Sequence, residues 1–240
     1  KDGITHGGYY NIREGGSVYD FYYYKYAGVE QETGKSQWYY DSPVVDEEGN
    51  EVKDSKGNTI METLTTTDIN EADKYFIGTA IPDFQGNIST DLAFKGFDFS
   101  ISANYQIGGD IYDAMYAGLM HAGSNAGHNW HKDILNAWTE DNKESDIPIL
   151  DGDQNANMFS SRFLIDASYF NLRSVTFGYT LPKSWLRQAQ LENARLYFAA
   201  DNIAIWSNRK GMDPRQYISG QSQANYSAIR SISVGLSLTL

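Results

Sequence analysis

The sequence predicts an all-β fold: an antiparallel, up-and-down segment of a transmembrane β-barrel, with about seven strands, an incomplete barrel and long extracellular loops. Three observations lead to this prediction. Apolar and polar residues alternate with a period of two in several segments, and 18 of the 240 residues are tyrosine. The connections between the predicted strands also alternate between short and long.

The clearest alternation lies in two segments joined by the turn Lys95-Gly96. From Phe97 to Tyr105 every second residue is apolar, and the residues between them are Asp, Ser or Asn. The same alternation runs from Ile232 to Leu240. A period of two gives a strand one apolar and one polar face. Alternation alone leaves both a barrel and a soluble sandwich open, because each contains such strands.

The lengths of the connections favour the barrel. The predicted strands are Ile4–Ile12, Ser17–Val29, Gly86–Phe94, Phe97–Gln106, Tyr169–Leu181, Ala194–Ile205 and Ser227–Leu240. The short connections are Arg13–Gly16, Lys95-Gly96 and Pro182–Asn193, and the long ones are Glu30–Gln85, Ile107–Ser168 and Trp206–Tyr226. In an up-and-down sheet alternate connections lie at the same end, so every long loop is expected at one end, as in outer-membrane barrels.

Local structure is also expected inside the connections. Asp113–Met120 and Trp130–Thr139 have helical spacing, and Ser184–Gln190 reads as one or two helical turns. Trp38-Tyr39-Tyr40 is a short strand candidate, and no internal repeat is predicted beyond the hairpins.

Charge and composition exclude several classes of protein. The net charge of −12 disfavours nucleic-acid binding. Ten Asp or Glu and two Lys lie between residues 41 and 73, which indicates a solvated loop. The absence of cysteine excludes disulfides, and the absence of a long apolar run excludes a transmembrane helix.

One segment resembles the start of a calcium-binding loop. Asp151–Asn157 carries oxygen ligands at alternate positions. Position six of the segment is Ala156 instead of Gly, and position twelve is Arg162 instead of Glu. A polar loop without calcium is therefore the preferred interpretation, and calcium binding stays open.

Neither a metal site nor a catalytic site is predicted elsewhere. His121, His128 and His131 lie in one loop, but no acidic or cysteine partner has the spacing of a zinc site. Glu140 and Asp141 are neighbouring acids without the walled cleft that a glycosidase needs. No catalytic residue, metal or cofactor is expected.

Several segments, in order along the chain, resemble one known family. They are Phe21–Val29, Ile81–Phe84, Ser161–Arg173, Ser174–Pro182, Asn193–Tyr197, Asp201–Ile203, Trp206-Ser207, Lys210–Pro214 and Ile232–Leu240. Together they resemble the C-terminal β-barrel region of the SusC/RagA family of TonB-dependent outer-membrane transporters. The last strand departs from the family pattern, because it ends at Leu240 where the family usually has an aromatic residue.

The resemblance implies that residues 1–240 are the C-terminal part of a receptor barrel, without the plug domain and the N-terminal strands. The intact protein is then expected in the outer membrane, where it would import oligosaccharides or peptides. Expected partners are outer-membrane lipid, a SusD-like surface lipoprotein as lid, and TonB, which would act through the absent N-terminal region.

Aromatic residues of the loops are the candidates for contact with substrate or lid. They are Tyr112, Tyr116, Trp130, Trp138 and Trp206. For each, packing within a loop or a place in an aromatic girdle at the barrel rim is the alternative. A second set, near the short turns, is expected to form the inner girdle: Phe94, Phe97, Tyr179 and Trp185.

Two other classes of protein stay open. One is a soluble, surface-exposed β-sandwich that binds glycans, and the other is a hydrolase with an acidic loop cleft. In a barrel, Phe99, Ile101, Val234 and Leu236 face lipid, whereas in a sandwich they are buried against a second sheet.

Overall fold

A computed structural model describes residues 3–123, 127–152, 159–187 and 190–240. Strands dominate it, and the pairings within the three larger sheets are antiparallel, so the predicted all-β, antiparallel fold is confirmed. The chain divides into two compact units. Unit 1 contains residues 1–80, 112–165 and 219–223, and unit 2 contains residues 81–111, 166–218 and 224–240.

Fourteen strands are found among the described residues. They are β1 (Ile4–His6), β2 (Tyr10–Ile12), β3 (Asp20–Tyr24), β4 (Tyr26–Val29), β5 (Ser36–Pro43), β6 (Met61–Thr66), β7 (Lys74–Thr79), β8 (Phe84–Phe94), β9 (Phe97–Ile107), β10 (Asp110–Tyr112), β11 (Leu164–Asp166), β12 (Tyr169–Thr180), β13 (Asn193–Ser207) and β14 (Ser231–Thr239). Their orders are β1-β2-β3-β7, β4-β5-β6, β10-β11 and β14-β13-β12-β9-β8.

Helices are short. Among the described residues, the α-helices are α1 (Ala114–Leu119) and α2 (Lys183–Leu186), and 3₁₀ turns cover Lys132–Asn136, Ser161–Phe163 and Pro214–Gln216. The predicted helix at Asp113–Met120 is confirmed, with Asp113 as the N-cap whose side chain accepts from the backbone N–H of Tyr116. Across the described residues, none of the helices has the length and apolar character needed to span a bilayer.

The five-stranded sheet of unit 2 is a meander that the sequence predicted closely. Its five strands start and end within four residues of their predicted bounds. Lys95 and Gly96 form the turn between β8 and β9 with φ of 47° and 88°, the left-handed conformation that two-residue hairpins require. The connections alternate between short and long, so both long ones leave the sheet from the same end.

The predicted strand Ser17–Val29 is wrong as a single element. β3 pairs with β2 and β7, whereas β4 pairs with β5 in a different sheet. The exposed Lys25 separates β3 from β4, and its carbonyl accepts from the N–H of Tyr39. The chain therefore changes partners at this residue.

The predicted strand Ile4–Ile12 is also divided. Gly7 and Gly8 have φ of 60° and 84° and turn the chain, so that β1 and β2 form a hairpin. Neither of the first two predicted strands joins the five-stranded sheet. The expectation of about seven strands in one sheet is therefore corrected to five.

The acidic loop contains an internal repeat that the sequence analysis did not predict. Residues 44–51 and 52–59 share a Val at the first position, an Asp at the third and Gly-Asn at the sixth and seventh. Three backbone hydrogen bonds connect the first residue of each repeat and the residue after the second repeat in a closed ring. Val52 N–H donates to Val44, Ile60 N–H to Val52, and Val44 N–H to Ile60, at 2.8–2.9 Å.

Aromatic side chains form the core of unit 1. The buried cluster contains Tyr10, Phe21, Tyr23, Tyr112, Ala117, Met120, Ile134, Ala137, Ile147 and Phe163. Tyr112 also pairs through its backbone with residues 220 and 222, so residues 219–223 belong to this unit.

Candidate functional site

One face of the five-stranded sheet is apolar and exposed. Leu92, Phe99, Phe177, Phe198 and Val234 are register partners in a single row across all five strands. Leu92 and Val234 at the two ends of this row are 62% and 73% exposed. A continuous exposed apolar surface that crosses five strands marks a contact with a membrane or a partner.

This exposure argues against the sandwich alternative. Phe99, Ile101, Val234 and Leu236, the four residues chosen to separate barrel from sandwich, are all outside the buried class. The apolar face is therefore not the dry interior of a sandwich.

Phe94, Phe97 and Tyr179 lie in one row next to the short connections, where the inner girdle was expected, and Trp185 lies in the connection after β12. Phe94, Phe97 and Trp185 are exposed, and the ring centroid of Phe97 lies 4.4 Å from that of Tyr179.

A second group of aromatic residues lies at the other end of the same strands. The ring of Phe84 is 5.9 Å from that of Tyr105, and Phe170 is 5.8 Å from Trp206. The separation of Phe84 and Phe94 along β8 is about 34 Å, which projects to about 26 Å at a strand tilt of about 40°. The apolar band of outer-membrane barrels is about 25 Å tall and has an aromatic girdle at each edge.

The opposite face of the sheet is polar and internally hydrogen-bonded. Asn171 Nδ2 donates to Asn104 Oδ1 at 2.5 Å, and Asn104 Nδ2 donates to the Tyr169 hydroxyl at 3.3 Å. Further along, Ser102 Oγ donates to Asn87 Oδ1 at 3.2 Å. These bonds connect β8, β9 and β12 through polar side chains, of which Asn171 is buried beneath its neighbours.

An ion pair crosses this polar face near the short connections. Arg195 Nε and Nη2 donate to the two carboxylate oxygens of Asp98 at 2.9 and 2.5 Å. The pair passes over Gly178, where a Cβ atom would lie 2.4–2.6 Å from both side chains. Tyr197 covers Gly235 in the same way. The two glycines thus leave room for larger side chains from the neighbouring strands.

Tyr112 and Tyr116 lie together in unit 1, where both rings meet the buried Phe163 edge to face at 6.1 Å. Tyr112 is buried, and this burial raises the pKa of its hydroxyl. The half-buried Tyr116 donates its hydroxyl proton to Asp133 Oδ2 at 2.9 Å. Both side chains therefore pack within the loop, as the alternative interpretation has it.

Trp138 and Trp130 differ in exposure. Trp138 is 5% exposed and donates from Nε1 to the carbonyl of Gln31 at 3.0 Å. Trp130 is 47% exposed, donates from Nε1 to the carbonyl of His121, and stacks on that imidazole at 5.0 Å. Of the loop tryptophans in unit 1, only Trp130 offers a ring to a ligand without local opening.

Trp206 is exposed on the apolar face of unit 2, beside Phe170. This position matches the rim girdle that the sequence analysis gave as its alternative. Contact of any of the five aromatic residues with substrate or lid stays a prediction.

The possible metal ligands are placed as follows. Most of Asp151–Asn157 lies outside the described residues. His121 is buried against Trp130, and the Nδ1 of His131 accepts from the N–H of Asp133. In the described part of the chain, no three His, Cys, Asp or Glu side chains converge on one point.

Sequence reasoning missed a cleft of about 530 Å³ in unit 1, whose lining is mostly charged, amide and aromatic side chains. The lining residues are Asn11, Arg13, Glu14, Tyr22, Asp41, Asp73, Lys74, Tyr75 and Phe76. Its volume lies in the range of small-molecule sites. The only sequence signal is the mixture of charged and aromatic residues at 73–76, and the pairing of β7 with β3 across 50 residues was not predictable from it.

The comparisons agree with the fold. No protein-family model matches the chain. TonB-dependent receptor P3 of Formosa agariphila is 30% identical over 95% of this chain and 22% of its own length. TonB-dependent receptor SusC of Bacteroides thetaiotaomicron is 24% identical over 85% of this chain and 19% of its own length.

Solved structures agree as well. The RagAB peptide transporter is 28% identical with a TM-score of 0.73, over 91% of this chain and 22% of that chain. The RagAB peptide importer in its open-open state is 26% identical with a TM-score of 0.72, over 97% of this chain and 23% of that chain. The present chain thus spans about a fifth of the length of the relatives it matches.

The two-faced antiparallel sheet, its aromatic edges and these matches define the class of TonB-dependent receptors. Within that class, the chain is a segment belonging to the SusC/RagA family.

Proposed function

We propose that the chain is the C-terminal part of the barrel wall of an active importer in the outer membrane. The five-stranded sheet carries this proposal. Its strands are 9 to 15 residues long, and about 9–11 tilted residues suffice to cross a bilayer. Lipid would cover the exposed apolar face, and the hydrogen-bonded polar face would line the lumen.

The edges of the sheet support a larger assembly. β8 and β14 are the outer strands, and an open edge in lipid leaves backbone N–H and C=O groups without partners. In the proposed importer, further strands of the full-length protein pair with these edges and close the barrel. The relatives are more than four times as long as this chain, which leaves ample sequence for such strands and for a plug domain.

The cargo and the partners follow from the relatives. The solved relative is named as a peptide importer, and another relative is SusC. We propose oligosaccharides or peptides as cargo, a SusD-like surface lipoprotein as lid, and TonB as the source of energy. The long connections, which leave the sheet from one end, would face the cell exterior and contact cargo or lid.

Fractionation and uptake of the full-length protein test this function. We expect the full-length protein to sediment with outer membranes, to stay there during a carbonate wash and to need detergent for extraction. Uptake of a fluorescent oligosaccharide or peptide should stop when TonB is depleted. A carbonate-soluble protein, or uptake that persists without TonB, would contradict the proposal.

A further inference from the structure

One wall of the cleft in unit 1 consists of three neighbouring groups, two aromatic rings and a guanidinium. β3 and β7 pair with Tyr22 opposite Phe76, and the two rings lie 5.0 Å apart. The Arg13 guanidinium lies 3.5 Å above the Phe76 ring. A cation held on an aromatic face keeps its orientation, so Arg13 presents its remaining N–H groups in a fixed direction.

Three groups of the cleft can hydrogen-bond to a ligand. Asn11 lines the cleft and is 7% exposed. Arg13 and Glu14 are exposed, and neither makes an ion pair within the described part of the chain. The cleft thus offers an amide donor and acceptor, a guanidinium donor and a carboxylate acceptor.

Two other carboxylates of the cleft are already bonded within the protein. Asp41 Oδ1 accepts from the hydroxyls of Tyr75 and Thr63 at 3.0 and 2.8 Å. Asp73 Oδ2 accepts from the N–H of Asp41 at 2.8 Å. Burial raises the pKa of the Tyr75 hydroxyl, and the hydrogen bond to Asp41 raises this pKa further. These groups fix the floor of the cleft instead of forming a cation site.

The balance of charge narrows the ligand class. The lining has two positively charged side chains, Arg13 and Lys74, and three negatively charged ones, Glu14, Asp41 and Asp73. This near balance of charge favours neither a phosphate-rich polyanion nor a lone cation as ligand. No deep apolar hollow is present for an apolar peptide side chain, since the lining is mainly charged, amide or phenolic. A neutral ligand with many hydroxyls can donate to Glu14 and accept from Arg13 and Asn11 at once.

We propose that this cleft binds one or two units of a neutral oligosaccharide, with Asn11 and Arg13 bonding ring hydroxyls. The inference rests on the proposed function, and it narrows the proposed cargo from oligosaccharides or peptides to oligosaccharides. Phe76 acts as a positioning residue, since it holds the guanidinium.

Binding by the full-length receptor in detergent tests the site. The probes are an array of neutral oligosaccharides (α- and β-glucans, xylans, mannans and galactans) and a library of decapeptides. The expected result is binding to at least one oligosaccharide, weakened tenfold or more by Arg13→Ala and by Asn11→Ala. Arg13→Lys should recover only part of the affinity, because an ammonium lacks the planar fork. Lys53→Ala, an exposed change outside the cleft, should leave binding intact.

Thermal denaturation checks that each variant folds. If Asn11→Ala fails to fold, Arg13→Ala still tests the site, because truncation of the exposed Arg13 side chain should leave the fold intact. Unchanged oligosaccharide affinity in a folded Arg13→Ala variant overturns the inference, as does the absence of binding to every sugar on the array. Peptide binding that depends on Arg13 would replace the oligosaccharide by a peptide. A receptor that is membrane-bound and TonB-dependent, yet unaffected by Arg13→Ala, would retain the proposed function and lose only this site.

Discussion

Arg195 and Asp98 form a bidentate ion pair across the full width of β12, at 2.9 and 2.5 Å, because Gly178 between them has no side chain. These hydrogen bonds join β9 to β13 across Gly178 of β12, the strand that lies between them. The pair therefore adds a cross-strand connection that backbone pairing alone does not supply.

Gly178→Ala should break this connection. Its new methyl group would lie 2.4–2.6 Å from both charged side chains, so one of them must move. We expect a loss of about 1–2 kcal/mol in the free energy of unfolding. The measurement is the temperature at which the folded full-length receptor converts to its unfolded form on a gel.

Two comparisons make this prediction specific. Thr176→Ala, on the same face of the same strand, should leave the transition temperature nearly unchanged. In an Asp98→Asn background, Gly178→Ala should cost less, since the ion pair is already lost. Equal effects in both backgrounds would show that Gly178 matters for another reason.

Trp138→Ala should destabilise unit 1, because the Trp138 side chain is buried. Its indole packs so closely on Gly34 that a Cβ atom at that glycine would lie 2.5 Å from the ring. Truncation of a buried tryptophan costs about 3–5 kcal/mol. The exposed Trp130 is the matched comparison, and its replacement by Ala should cost under about 1 kcal/mol.

Hydrogen exchange over residues 127–152 measures both changes. Faster exchange in the Trp138 variant, with little change in the Trp130 variant, is the expected result. If Trp138→Ala lowered cargo uptake and left exchange untouched, Trp138 would be a contact residue instead of a packing residue.

The repeats at residues 44–59 should lose protection in acid. Hydrogen bonds from Asn50 lower the pKa of Asp46, and those from Asn58 lower the pKa of Asp54. A carboxyl whose folded pKa lies below its unfolded value of about 3.9 stabilises the fold above that pH. This contribution is lost as pH falls through the folded pKa, so protection should decline below about pH 3.9.

Hydrogen exchange of this segment, corrected for the intrinsic effect of pH, checks the prediction. Asp46→Asn with Asp54→Asn is the control, since an amide oxygen can still accept a bond and does not titrate in this range. The decline should be absent in the control. A decline of the same size in both proteins would assign the acid sensitivity to other groups.

The sheet of unit 2 was predictable because its signals are local. Strand β9 alternates strictly, and Lys95-Gly96 marks the turn before it. Each strand of the meander pairs with the next strand of the same sheet, and β9 finds β12 across the long connection that contains β10 and β11. The matching alternation of β9 and β12 made that pairing predictable. The alternation of short and long connections also indicated the correct topology.

Unit 1 was not predictable from the same signals. The residues of β3 are aromatic on both faces, so no period separates an inside from an outside. Its partner β7 lies 50 residues later, after the eight-residue repeats, whose polar composition was interpreted only as a solvated loop. The cleft combines Asn11 and Arg13 with residues of β7, and that proximity exists only after this long-range pairing.

In the proposed barrel wall, alternate residues of β9 face lipid and lumen. Single cysteines at Phe99, Ser100, Ile101 and Ser102 of the full-length receptor, in a background without other cysteines, can carry a fluorescent label in liposomes. The account predicts that spin-labelled lipid quenches the label at 99 and 101, while aqueous iodide quenches it at 100 and 102. Iodide quenching at all four positions, or protection of 99 and 101 from both quenchers, would contradict it.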